Sequence, residues 1–177
     1  MILLDNIRKL VLARRNQLTK KEIEEKSMQI CERIQPYLYG KIAAYCAIGS
    51  EVDLRYLLFE QVQLCLPVCT QNTMTFHLVD RNTQFKESSY GILEPINAAI
   101  VDGNDIDVFL VPMVAFDENC NRMGHGKGYY DRYLAATRGK KIGVAFECQK
   151  NILKLHEKDI AMDIVITEKN IYKKATV

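Results

Sequence analysis

A chain of 177 residues with 48% apolar and 26% charged side chains has the make-up of a single folded domain over residues 1–177 with a sizeable core, and is too apolar for a disordered chain. A formal net charge of +2 and a pI near 8.2 are too mild for a nucleic-acid binder, which concentrates basic charge on one face. No apolar run approaches a membrane span, and Met1-Ile2-Leu3-Leu4 meets Asp5 too soon for a signal peptide.

The apolar positions Ile7, Leu10, Val11 and Leu18 predict an amphipathic helix over residues 5–17. Thr19 and Glu22 form a capping box for a second helix running to about Ile34, where Pro36 stops it. Lys41 to Ile48 reads as a buried strand closed by Gly49-Ser50, and Ser50 as the cap of a helix reaching about Gln61. Strands follow over Val62–Val68 and Thr73–Val79, and Asp80 to Ala99 reads as a polar loop. Asp107 to Val114 is the central buried strand. It leads into Arg122-Met123-Gly124-His125-Gly126-Lys127-Gly128-Tyr129-Tyr130-Asp131 and a helix to Ala136. Buried strands over Lys141–Phe146 and Met162–Thr167 and a short tail over Ile171–Val177 complete the chain.

Strands alternating with helices predict an α/β fold around a mainly parallel sheet, with ligands at the carboxyl ends of the strands. The glycine loop lies at such an end. Its alternate glycines free the backbone for positive φ and let N–H groups converge on an anion, while Arg122 and Lys127 add charge. The spacing is neither the dinucleotide nor the P-loop fingerprint, so two readings stand, a plain turn and a phosphate cradle. Arg, Lys and a terminal Asp around backbone donors suit a nucleoside triphosphate with Mg²⁺. Six cysteines, Cys31, Cys46, Cys65, Cys69, Cys120 and Cys148, show no paired spacing and read as free thiols of a reducing cytoplasm, with Cys120 beside the loop exposed and oxidisable. His77 and His156 show no ligand spacing.

The run Val111-Pro112-Met113-Val114-Ala115-Phe116-Asp117, followed by Asn121 to Leu134, closely resembles the signature of the 5-formyltetrahydrofolate cyclo-ligase family. Arg14-Arg15-Asn16-Gln17-Leu18-Thr19, Ser50-Glu51-Val52-Asp53 and Tyr90-Gly91-Ile92-Leu93-Glu94-Pro95 follow the family's order. The resemblance implies a three-layer α/β/α sandwich, similar to the sugar-phosphate isomerase and CoA transferase folds. It also implies ATP- and Mg²⁺-dependent cyclisation of 5-formyltetrahydrofolate to 5,10-methenyltetrahydrofolate, with ADP and phosphate released, in a cytoplasmic monomer. In that chemistry the formyl oxygen attacks the γ-phosphate and N10 then closes the ring.

Carried over residue by residue, the resemblance makes Arg122 and Lys127 catalytic and gives ATP contacts to Arg8, Arg122, Gly124, His125, Gly126, Lys127, Gly128, Tyr129 and Tyr130. Folate contacts fall to Cys46, Glu51 and Tyr129, and Mg²⁺ to Asp131 and Asp163. Tyr130 and Cys46 read equally as packing, Asp131 and Glu51 as acids of helix first turns. Leu4 stands where the family has a lysine, and Leu54 replaces a frequent hydroxyl residue. Two alternatives remain open at this point, a sugar-phosphate isomerase and a non-catalytic nucleotide- or folate-binding protein of the same fold.

Overall fold

The reciprocal cap predicted from Thr19 and Glu22 is present. The Thr19 hydroxyl accepts the Glu22 N–H at 3.2 Å, and the Glu22 carboxylate accepts the Thr19 N–H at 2.8 Å, starting helix α2 (Lys20–Ile34). In the computed structural model, which describes residues 2–57, 62–71, 73–88, 91–154 and 159–175, α2 follows α1 (Ile2–Asn16) and precedes a mixed sheet.

Its strands are β1 (Lys41–Ala43), β2 (Gln63–Cys69), β3 (Met74–Val79), β6 (Ile100–Val101), β7 (Val108–Pro112), β10 (Lys140–Val144), β11 (Ile164–Ile166) and β12 (Ile171–Lys173). They lie in the order β12-β11-β10-β7-β1-β2-β3-β6. The five from β11 to β2 are parallel; β12, β3 and β6 run antiparallel to their neighbours. Two further ladders, β4 (Gln84–Glu87) with β5 (Leu93–Ile96) and β8 (Ala115–Phe116) with β9 (Arg122–Met123), stand outside it.

The apolar run in β7 is buried on both faces, and its alternation splits the core in two. Val108 and Leu110 face a cluster holding Ile30 and Ile34 of α2 with Ile42, Ile142 and Ile164. Phe109 and Val111 face Phe76, Cys65 and Leu134 of helix α3 (Tyr129–Leu134). Helices thus lie on both faces, the α/β layering expected. A third cluster of Val11, Ala115, Met123 and Leu153 docks α1 against the segment after β7.

The differences from expectation are local. The strand from Lys41 ends at Ala43. In place of a helix from Ser50 there is a single 3₁₀ turn, Leu54–Tyr56, capped by the Asp53 carboxylate on the Arg55 N–H; residues 58–61 lie outside the described residues. Val52, Leu54 and Leu57 are all buried there, a spacing no single helix face provides. Residues 80–99, read as loop, contain the β4–β5 ladder. All four β4 residues are exposed, so no alternation marks the strand. The expected tail forms edge strand β12.

Cys120 is a second correction. It is fully buried, with φ +63°, and burial pushes its thiol up to about 11. Burial likewise raises Cys65 to about 11 and Cys31 to about 12. Thiolate is the reactive form, so excess iodoacetamide at about pH 8 is expected to leave all three unmodified in the native protein. Full labelling of any one by peptide mass mapping would contradict this burial.

Candidate functional site

The chain builds β1 and β2 on one side, then crosses to β7 and β10 on the other, so the order reverses between β1 and β7. Ligands bind outside the carboxyl ends of strands at such a point. A cleft of about 720 Å³ opens there, walled by α1, the segment after β1, the glycine loop and residues 153, 154 and 159.

The β8–β9 hairpin delivers the loop. Asp117 accepts the Asn119 and Asn121 N–H groups at 2.9 and 3.0 Å, tightening the turn that leads to Arg122. The Arg122 side chain is 3% exposed, and its Nη2–H donates to Asp131 Oδ1 at 2.8 Å. Its guanidinium lies 5.7 Å from the Tyr130 ring centroid, within cation–π range. Arg122 Nε is buried with no hydrogen-bond partner among the described residues. A buried donor without an acceptor is costly, and here it fits a bound anion.

From Gly124 onward the loop presents backbone. Gly126 and Gly128 take φ +96° and +65°, values that side chains with a Cβ rarely adopt. The N–H groups of Gly124, His125, Gly126 and Gly128 donate to no protein group among the described residues. The carbonyls, by contrast, are held by arginines. Arg8 Nε–H donates to Gly124 O at 3.1 Å, and Arg132 Nη1–H to Lys127 O at 2.9 Å. Unused N–H donors with carbonyls tied away make an anion-binding nest. Lys127 is exposed on this loop and lines the cleft. Asp131 takes the Arg122 donor and the Ile160 N–H at 3.3 Å on Oδ1, leaving Oδ2 without a protein donor among the described residues.

Glu51 forms the opposite wall. Buried at 6% exposure, it accepts the Ile48 N–H on Oε2 at 3.0 Å and meets His125 Nε2 with Oε1 at 3.2 Å. Tyr45 and Tyr130 lie nearby, and burial, then the Glu51 charge, raise both phenols. Cys46 lines the cleft, its Sγ 3.6 Å from Leu93 O. Tyr129 hydrogen-bonds Thr70 O and Gln71 O at 2.9 and 3.1 Å, tying the loop to the end of β2.

All the expected site residues except Asp163 therefore line this cleft. Asp163 is exposed at the amino end of β11, where its carboxylate accepts the Lys141 N–H at 2.7 Å. The parallel direction of β11 sets that end away from the strand termini that form the cleft, so Asp163 caps a strand rather than joining Asp131. The further acid in the cleft is Asp159, which nothing in the sequence singles out. Arg8 lines the cleft, and its Nε also holds the loop. Leu4 packs against the α1 docking cluster.

The sequence model of the 5-formyltetrahydrofolate cyclo-ligase family matches residues 4–168. The chain is 30% identical to a 5-formyltetrahydrofolate cyclo-ligase of Mycoplasma genitalium over 92% of its own length and 96% of the relative's. Among solved structures it is similar to the 5,10-methenyltetrahydrofolate synthetase of Aquifex aeolicus, at TM-score 0.89 and 33% identity over 99% of this chain and 94% of that one. It is also similar to the synthetase of Mycoplasma pneumoniae, at TM-score 0.77 and 26% identity over 93% and 98%.

Proposed function

We propose that this chain, which belongs to the 5-formyltetrahydrofolate cyclo-ligase family, converts 5-formyltetrahydrofolate to 5,10-methenyltetrahydrofolate with ATP as phosphoryl donor and Mg²⁺ as its counter-ion. The observation that carries the nucleotide is the loop: backbone donors with no protein acceptor among the described residues and two positive-φ glycines line one cleft, backed by the buried Arg122 Nε, which has no partner among the described residues. Among the described residues no group of three His, Cys, Asp or Glu side chains could hold a metal alone. That suits Mg²⁺, which is held by one or two carboxylates and by substrate phosphates, with Asp131 Oδ2 as the protein ligand.

ATP supplies the phosphoryl group that turns the formyl oxygen into a leaving group. The chain supplies position and charge. Gly124, His125, Gly126 and Gly128 offer backbone N–H to phosphate oxygens, Lys127 adds a cation, and Arg122 fixes Asp131. Such electrostatic preorganisation acts without a protein nucleophile. The buried Glu51 carboxylate faces the folate end and accepts from the pterin's N–H groups, with Cys46 and the tyrosines as its walls. The six cysteines are free, which supports a reducing cytoplasm, and no helix among the described residues could cross a membrane. One chain forms every wall of the cleft, so a monomer suffices.

Purified protein with 5-formyltetrahydrofolate, Mg²⁺ and ATP is expected to develop the near-ultraviolet methenyl chromophore, and to develop none when ATP is omitted. Folded protein giving no chromophore would overturn the catalytic reading, and ATP-independent growth would overturn the role of the loop.

A further inference from the structure

Arg15 stands in the cleft unused by the chemistry above. The residue is 5% exposed, and burial lowers its pKa while the Glu51 charge opposes that shift. A buried guanidinium is costly unless its N–H groups meet acceptors. Nε has one, Ser50 Oγ at 3.0 Å, and that hydroxyl donates in turn to Asn16 Oδ1 at 2.6 Å. Nη1 and Nη2 have none among the described residues, and Arg15 forms no ion pair there. Nor are they sealed in the core, since Arg122 Nε is the buried side-chain polar atom left without a partner among the described residues. The terminal fork therefore opens into the cleft that Arg15, Ser50 and Glu51 wall together.

Ser50 bonds to Arg15, and the next residue is Glu51, so a donor fork and an acceptor carboxylate stand on one wall. That pair complements a lactam edge, a carbonyl oxygen beside a ring N–H and an amino group. The pterin of a folate carries this edge as O4, N3–H and the 2-amino group. We propose that Arg15 binds the pterin O4 through its Nη fork while Glu51 accepts from the adjacent N–H groups, an assignment that rests on the folate reading of the cleft. Arg15 is then the contact that selects 4-oxo pterins over 4-amino ones. A 4-amino group would set donor against donor and leave the buried fork unpaired.

Calorimetry without ATP tests this, comparing 5-formyltetrahydrofolate with its 2,4-diamino counterpart on wild type, Arg15→Met and Arg15→Lys. Wild type is expected to favour the 4-oxo compound by about tenfold to a hundredfold, the worth of a hydrogen bond to a charged group. Arg15→Met should lose that factor on the 4-oxo compound alone, leaving only the preference that Glu51 draws from N3–H, which the 2,4-diamino ring lacks, and Arg15→Lys should restore part of the loss. An Arg15→Met protein that keeps the full wild-type preference, or weakens both ligands equally, overturns the assignment. Should Arg15→Met fail to fold, a wild-type ratio near one overturns it as well. Wild type that binds neither compound overturns the folate reading itself, a result distinct from loss of preference.

Discussion

Lys127→Ala is expected to lower kcat/KM by about a thousandfold, the scale of removing one preorganised group from a charge-developing transition state, while shifting the melting temperature by no more than about 1–2 °C. The side chain is exposed, and Arg132 rests on the backbone carbonyl at this position. Alanine keeps that carbonyl and removes an exposed ammonium. The chromophore assay and a thermal melt on the same preparation measure both halves. Normal turnover would remove Lys127 from the phosphate site.

Arg122→Met divides differently, because Arg122 holds the site together as well as facing it. Its Nη2 donates to Asp131, Nη1 lies 3.5 Å from Pro112 O, and the buried Nε has no partner among the described residues. Methionine fills part of the volume but leaves Asp131 without its cation. Breaking a buried pair costs about 3–5 kcal/mol; Asp131 is 22% exposed, so solvent returns part of this and roughly 2–4 kcal/mol is expected. The melting temperature should fall by about 5–15 °C, together with loss of turnover. An inactive variant of wild-type stability would mean that the Arg122–Asp131 pair serves chemistry without supporting the loop.

What could be read in advance follows from how local each cause is. The α2 cap lies within four residues of chain, and burial of β7 on both faces shows as an uninterrupted apolar run. The glycine loop is legible because its backbone conformation is written in its own residues. The β4–β5 ladder is not: its four exposed β4 residues gain their conformation from pairing with a strand that carries no distinguishing pattern either. Asp163 illustrates another limit. Resemblance places an acid at the start of β11, but which end of the sheet it occupies depends on strand direction, a property of the assembled fold. Arg15 failed to stand out for a related reason, since it acquires meaning from Glu51, which lies 36 residues away in sequence.

The docking of α1 sets an order on how this protein comes into being. Arg8 closes a contact with Gly124 across 116 residues, and Val11 clusters with Ala115, Met123 and Leu153, all made long after it. During synthesis the helix must wait, its apolar face uncovered, until Ala115, Met123 and Leu153 have emerged, so an unfinished chain has strands and core before it has a cleft. The reverse path follows in the finished molecule. Release of α1 alone uncovers a small cluster and removes two arginines from the site, so activity is lost while the sheet stays folded. Proteolysis near residue 16 under native conditions should therefore silence the protein well before it melts.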